Sequence, residues 1–376
     1  MSIGSVYIKE VSSKSDLKDF IKFPIGLYKG NPYYVPPIID FELSTLSKKK
    51  NPAFERDKAR YWLAYQNDTI VGRVAGILIA PELEAEKKVR FGWVDFIDDF
   101  EVCKTLLDTV ANWGKANGAT KIHGPMGFTD LDFEGALLEG YDQVATQATI
   151  YNAPYYIDHY KKYGMAKAVD WIEARGYVPQ ELPEVLTRSA KFVQDRFKLR
   201  VLKFKRSKHI FKHAFGVIEL LNRTYDNLYG YYPLTNKQIQ YYVDLYFGFI
   251  RKEYVTIIVD KDDKIVCMAI CMPSMSEAFQ KAKGSLFPFS FIKVLKDFFT
   301  KKHLDLFLIA VDPMYQKLGG SALIFSELLN SFIKQKIKTI ATGPMLEENA
   351  GVQNLWNDYK DLKIATLRRR CFIKEI

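Results

Sequence analysis

The sequence predicts an α/β (α+β) chain of two tandem domains, residues 1–183 and 184–376. Each is expected to be a mixed, mostly antiparallel sheet flanked by helices. Three observations lead there. The chain has 376 residues, more than one core of ordinary size organises. Two segments read alike: residues 119–126 are ATKIHGPM and residues 338–345 are KTIATGPM, 219 positions apart. Finally, each half runs through the same ordered features. A turn leads into an Ile-Val run at Asn67-Asp68-Thr69-Ile70-Val71 and again at Asp262-Asp263-Lys264-Ile265-Val266, which is a hairpin signal. The Gly-Pro-Met segment follows, then an Asn that opens a helix, Asn152 and Asn349. An ordered set that recurs is the mark of a duplicated unit.

The first half opens with a strand over 6–11 and a helix over 15–28, with Ser12 or Ser15 near its cap. Residues 31–37 carry three prolines and are extended. Residues 61–66 and 70–79 form a hairpin, 91–96 a strand, 100–116 a helix and 120–123 a strand. Residues 154–162 are helical, with Pro154 in the first turn, and 172–177 close the unit. Pro179 and Pro183 mark the linker. The second half restarts at 197–204 and runs through a long helical region, 208–250. A hairpin follows over 255–259 and 265–272, then a Phe- and Lys-rich insertion over 281–300 that contains Phe287-Pro288-Phe289-Ser290-Phe291.

Composition limits the function classes. Apolar residues make up 48% and charged residues 26%, as in a folded globular chain rather than a disordered one. No apolar run nears the ~20 residues that span a bilayer, and the first residues lack the regions of a signal peptide. Cys103, Cys267, Cys271 and Cys371 have no metal-binding spacing, so a reducing cytoplasm is expected. His209 and His213 are spaced i, i+4 without a third ligand, and no metal is expected. The net charge of +10, in clusters such as Lys48-Lys49-Lys50 and Arg368-Arg369-Arg370, favours anionic partners: coenzyme A phosphates, acidic acyl carrier protein, an anionic membrane surface touched peripherally, or RNA. No specific nucleic acid is expected.

The densest signal is in residues 306–322. An apolar run over 306–311 reads as a buried strand, stopped by Asp312 and Pro313. Gln316, Lys317, Leu318, Gly319, Gly320 and Ser321 lead into an amphipathic helix from Ala322. A strand, a glycine turn and a helix N-terminus form an anion site. The unpaired N–H groups of the first turn point outward, and the helix dipole favours negative charge there. The glycines let backbone approach a phosphate with no Cβ in the way, and Lys317 adds a cation.

On these residues the chain resembles the GNAT acyltransferase superfamily. Gln316-x-x-Gly319-x-Ser321 is similar to the family's Gln/Arg-x-x-Gly-x-Gly/Ala loop after its fourth strand, with Ser in the last position. Asn349 to Trp356 has the spacing of the family's Asn-x-x-Ala-x-x-x-Tyr, with Val352 for Ala and Trp356 for Tyr. Over nearly its full length the chain is similar to a bacterial two-lobed GNAT-like family bearing GNPYYVPP, VGRVAG and GPMGFTD stretches. Its broader relatives include bacterial ceramide synthases, which acylate a long-chain amine.

The resemblance implies an N-acyltransferase with acyl-CoA, or acyl carrier protein, as co-substrate. The backbone of Ile309, Ala310 and Val311 would bond the pantetheine arm, the N–H groups from Lys317 to Ala322 the pyrophosphate, and Asn349 the carrier arm. The acid that protonates the leaving thiolate would be the Tyr that Trp356 replaces. Indole cannot do this, and Tyr359, on the same helical face, is the expected substitute. Asp305, Glu347 and Glu348 are the candidate bases. The 219-residue offset lays the loop on Ile97–Glu101, which has no glycine and three carboxylates, so only the second half is expected to hold coenzyme. A catalytically silent acyl-CoA sensor and an aminoacyl-tRNA-dependent transferase of the two-lobed Fem type are the competing readings.

Overall fold

The computed structural model describes residues 4–226, 228–246, 249–285, 290–300, 302–348 and 362–376, without the side chains of 290–293 and 297. The chain begins β1 (Tyr7–Glu10), α1 (Lys14–Leu27), α2 (Ile39–Thr45), β2 (Lys58–Gln66), β3 (Thr69–Leu78), α3 (Ala80–Glu86), β4 (Lys88–Phe96) and α4 (Phe100–Ala116). It continues with β5 (Lys121–Gly124), β6 (Ala136–Glu139), α5 (Tyr155–Lys162) and β7 (Ala166–Tyr177). Next come α6 (Glu184–Phe197), β8 (Arg200–Val201), α7 (Ala214–Tyr225), α8 (Asn236–Tyr246), β9 (Val255–Val259), β10 (Ile265–Pro273), α9 (Ser276–Ala282) and α10 (Ser290–Thr300). The last elements are β11 (His303–Val311), α11 (Pro313–Gln316), α12 (Gly320–Lys334), β12 (Thr339–Thr342), β13 (Met345–Leu346) and β14 (Lys363–Glu375).

These elements form two compact units that do not coincide with the sequence halves. One is Met1–Ile172 with Met275–Val294 and Leu367–Ile376. The other is Glu173–Ser274 with Leu295–Thr366. In the first unit the strand order is β1-β2-β3-β4-β5-β14. Neighbours are antiparallel except β4 and β5, which run parallel from Lys88↔Lys121 to Arg90↔His123. In the second unit the order is β8-β9-β10-β11-β12-β7, again antiparallel except for the fourth and fifth strands, parallel from His303↔Thr339 to Leu306↔Thr342. The strands that end at the two Gly-Pro-Met segments thus hold the same place in the two sheets.

The last strand of each sheet departs from the sequence reading. Residues 172–177 do not close the first unit. Tyr177, Gly176 and Arg175 pair with Thr339, Ile340 and Ala341 in the second. The chain's final strand, β14, pairs with β5 in the first, with Phe372 opposite Gly124. Each sheet is therefore closed by a strand from the other half of the sequence. Alternation specifies which face of a strand is buried, although β7 buries Val169, Asp170 and Trp171 in succession. Alternation does not specify which sheet edge each strand joins.

Smaller differences have local causes. The cap of α1 is Ser13, in a reciprocal capping box with Asp16, rather than Ser12 or Ser15. The region 208–250 contains α7 and α8 as separate helices, with Gly230 and Pro233 between them. Helix α6 follows Pro183, where only a linker is expected. The insertion is divided, 281–294 belonging to the first unit and 295–300 to the second; just before it, Ser276 Oγ donates to Ala145 O and Gln280 Nε2 donates to Pro32 O and Tyr34 O. Residues 286–289 lie outside the described residues.

Two apolar cores enclose the second sheet. Leu304, Leu306 and Val311 face α6 and α12, while Met268 and Ala310 face α7 and α8. In the first unit Phe372 is 1% exposed, its ring 5.3 Å from that of Tyr160. Phe372→Ala should therefore destabilise the first unit by about 3–5 kcal/mol, read as a lower urea midpoint. An unchanged midpoint would mean that β14 does not complete this sheet.

Candidate active site

The site begins with a parting of strands in the second unit. Strand β12 accompanies β11 only from His303 to Leu306, and the Gly343 N–H donates to Leu306 O at 2.9 Å as the two separate. A bulge lies at the same level. Ile270 faces Leu308 and Cys271 faces Leu306, which leaves Phe307 as the extra residue. Beyond it, the Asp312 N–H donates to Val266 O. Antiparallel pairs alternate, so Ile309 and Val311 turn their backbone groups away from β10. The Tyr225 hydroxyl donates to Ile309 O at 2.9 Å and Gln316 Nε2 to Val311 O at 2.8 Å. Among the described residues no acceptor meets the N–H of Ile309 or Val311.

The glycine loop follows at once. Asp312 caps α11 by accepting from the Met314 N–H, and Arg223 pairs with its carboxylate at 3.4 Å. The Gln316 side chain, although the residue is exposed, donates to Val311 O and braces the loop. Leu318, Gly319 and Ala322 donate their N–H groups within the loop. The N–H groups of Gly320 and Ser321 have no acceptor among the described residues. Gly319 has φ of +84°, a left-handed conformation that glycine adopts at no steric cost. At Gly320 a Cβ would stand 2.9 Å from Tyr315 O and 3.1 Å from Val311 Cγ1. Lys317 is exposed at the rim.

Asp305 lies at the closed end of the gap. Leu304 and Leu306 point into the α6–α12 core, so Asp305 points to the face of α7 and α8. It is in register with Ala341, and Ala341 with Arg175. This row puts the short Ala341 side chain between a carboxylate and a guanidinium. Burial pushes the Asp305 carboxyl up to about 7 against the charge of Arg175 and a hydrogen bond with Ser274, and Glu173 adds to the rise. Its Oδ2 has no hydrogen-bond partner. On the same face the Phe307 ring is 4.9 Å from Tyr246, which stacks on Tyr242. Glu348 is exposed in the turn after β13. Asn349, Trp356 and Tyr359 lie outside the described residues.

Tyr225, Glu173 and Arg175 join the site without a signal in the sequence. Tyr225 is one tyrosine among many on a helix. Glu173 and Arg175 arrive on the exchanged strand β7.

The first unit has the same parting, but it is filled. The N–H of Phe96, at the end of β4, donates to the Tyr156 hydroxyl at 3.0 Å, and the Tyr155 hydroxyl donates to Phe96 O. Only Asp98 and Asp99 separate Ile97 from α4, where seven residues separate Asp312 from α12. The loop is therefore shortened as well as changed in charge, which the fixed offset of 219 could not reveal. Asp99 caps its own helix by accepting from the Glu101 N–H, and Asp98 pairs with His159 at 2.8 Å.

No family model matches the chain. Protein YghO of Escherichia coli K12 is 24% identical over 357 residues, which covers 93% of this chain and 90% of that protein. A bacterial ceramide synthase of Caulobacter vibrioides is 24% identical over 289 residues, 76% of this chain and 74% of that one. Among solved structures, a tandem GNAT protein from the clavulanic acid biosynthesis pathway aligns over 99% of this chain and 98% of its own, at 9% identity and a TM-score of 0.57. The GCN5-related glucosamine N-acetyltransferase region of a fungal multi-domain β-N-acetylglucosaminidase aligns over 100% of this chain and 38% of its own, at 11% identity and a TM-score of 0.55. The chain has the tandem GNAT fold.

Asp305 supplies a stability test. Its folded pKa of about 7 lies above the ordinary 3.8, so between these values the folded state holds a proton that the unfolded state has lost. Stability then falls as pH rises across that window, and the full penalty is present above about pH 7. Asp305→Asn should match the parent near pH 4 and exceed it at pH 8 in urea denaturation. An equal pH slope in both proteins would mean that Asp305 ionises normally in the fold.

Proposed function

We propose that this chain, a protein of tandem GNAT fold, is an N-acyltransferase whose second unit takes acyl-CoA, or an acyl group on acyl carrier protein, and delivers the acyl group to an amine. One observation carries the reading. The parted end of β11 offers the N–H groups of Ile309 and Val311 and runs directly into a glycine loop with open N–H groups at Gly320 and Ser321. An extended arm with amide carbonyls, ending in a pyrophosphate, matches that sequence of donors. Lys317 adds a cation at the rim, and Asn349 is assigned to the arm.

Asp305 serves as the general base. A carboxyl that titrates near neutrality suits removal of a proton from an ammonium at physiological pH. The freed amine attacks the thioester carbonyl, the nitrogen releases its second proton to solvent, the C–S bond breaks as the tetrahedral intermediate collapses, and the thiolate leaves with a proton that Tyr359 donates and regains from solvent. Glu348, exposed in the turn after β13, is the alternative base.

The likeness to a ceramide synthase supports a long-chain amine acceptor, because a ceramide is the N-acyl product of such an amine. The Tyr242, Tyr246 and Phe307 face suits apolar acceptors. Exposed Phe192, Phe215 and Phe299 and the net charge of +10 support peripheral contact with an anionic membrane. Among the described residues no helix is long and apolar enough to cross one. The buried free cysteines support a reducing compartment, the cytoplasm.

Calorimetry with coenzyme A should give one site per chain, abolished by Gly320→Glu. A thiol-release assay with long-chain amines should give turnover that Asp305→Asn lowers about 10²–10⁴-fold with acyl-CoA affinity retained. Tyr359→Phe should do the same. Two sites per chain, or unchanged affinity in Gly320→Glu, would contradict the assignment of the coenzyme site. Tight binding with no thiol release for any amine would identify a sensor instead.

A further inference from the structure

The first unit, which has lost the loop and filled its strand parting, still contains a cavity of about 20 Å³ beside β4. That is the room of a single water-sized group. Its walls are aromatic: Trp93, Phe133, Tyr151, Tyr156 and Tyr160, with Glu134 among them. Trp93 holds φ of +41°, a conformation rare for a bulky residue and found where surrounding structure imposes it. Strand β4 bulges there, since Arg73 faces Asp95 and Ala75 faces Gly92. The indole N–H is anchored on Glu42 Oε2 at 2.6 Å. The Tyr156 hydroxyl is engaged with Tyr28, Asp95 and the Phe96 N–H. The polar ends of two walls are thus committed elsewhere, leaving ring surface for an occupant.

Glu134 stands out against this lining. Its Oε1 is buried and has no hydrogen-bond partner. The Asp130 carboxyl adds its charge beside it, and the Asp130 Oδ1 is likewise buried without a partner. Asp132 lies close by, accepting from the N–H groups of Phe128 and Thr129. Two buried cations are nearby: Arg90, bidentate on Glu82 at 2.7 and 3.0 Å with a third donor on Gly127 O, and Arg369, which packs against Gly135 and donates to Ile150 O. His123 contacts the same Glu82, and burial holds its pKa down. Asn152 is spent on Leu137 and Ala153. Burial pushes Asp130 up to about 6 and Asp132 up to about 7, and Asp130 joins burial in pushing Glu134 well above its ordinary value. Acidic groups outnumber basic ones around a cavity lined by rings.

We propose that this cavity is a second ligand site, which takes the ammonium head of a primary amine against Glu134 and the surrounding aromatic rings. A carboxylate supplies the counter-charge and ring faces attract a cation. The carboxyl pair holds a proton while the cavity lacks a cation. Entry of R–NH₃⁺ expels that proton to solvent, so charge is conserved and no covalent bond changes apart from the O–H. A metal ion suits the site less well: no group of three metal-ligating side chains occurs among the described residues. The site belongs to the first unit and the glycine loop to the second, and it stands independently of the acyl-transfer reading.

The test is calorimetry on the full chain without any acyl donor. Methylammonium and ethylammonium would be titrated at pH 7 in two buffers of different ionisation enthalpy, with potassium as the competing cation. Expected are saturable binding, release of about one proton, and a change in tryptophan fluorescence from Trp93. Glu134→Gln should weaken amine binding at least tenfold, leave coenzyme A binding unchanged, and not lower the melting temperature, because it removes a buried carboxyl whose Oε1 lacks a hydrogen bond. Absence of saturable amine binding, binding without proton release, equal saturation by potassium, or full affinity in Glu134→Gln would each overturn the proposal. The proton-release measurement needs only the parent protein, so it decides the matter even if the variant does not fold.

Discussion

A strand that loses its neighbour must find other partners for its backbone groups, and this requirement governs both units. Buried N–H and C=O groups are almost never left unpaired. In each sheet the fourth strand parts from the fifth after a few residues, at Leu306 in one and near Phe91 in the other. The first unit answers with its own side chains: Tyr155 and Tyr156 meet the C=O and N–H of Phe96. The second answers for the carbonyls only, through Tyr225 and Gln316. Its N–H groups stay available to a ligand. The same architecture is thus a plugged parting in one unit and an open one in the other.

The surrounding charges follow that division. The first unit pins β4 with two buried ion pairs. Arg73 pairs with Asp95 at 2.7 Å and reaches Phe20 O on α1, while Arg90 is bidentate on Glu82. Buried pairs of this kind add little net stability but are costly to break singly, so they fix geometry. They hold a strand whose bulge puts Trp93 in an uncommon conformation. The second unit fixes its strand end differently, with the Asp312 cap, the Arg223 pair, a left-handed Gly319 and a Gly320 that has no room for a Cβ. Rigidity falls on the carboxylate network in one unit and on the anion loop in the other.

Much of this was legible in the sequence because it is local. The hairpin turn at Asn67-Asp68 has positive φ at both residues, as such turns require. Helix α4 spans the residues its periodicity and flanking turns mark. The strand–glycine–helix unit from Leu306 to Ala322 could be read because each part has its own signature. The exchange of β7 and β14 could not. The choice of sheet edge is made over separations of more than 150 residues. That one long-range choice brings Glu173 and Arg175 to Asp305. The pKa of Asp305 was equally hidden, since it depends on burial and on those two neighbours. The five-residue shortening of the loop before α4 was masked by treating the repeat as a constant offset.

The account turns on open N–H groups at the end of β11, and amide hydrogen exchange reads them one by one. With coenzyme A added to the full chain, exchange should slow at Ile309 and Val311 and at Gly320 and Ser321. Val94 and Phe96 should exchange as before. Protection spreading equally to Val94 and Phe96, or no protection at Ile309 and Val311 under saturating coenzyme, would contradict it.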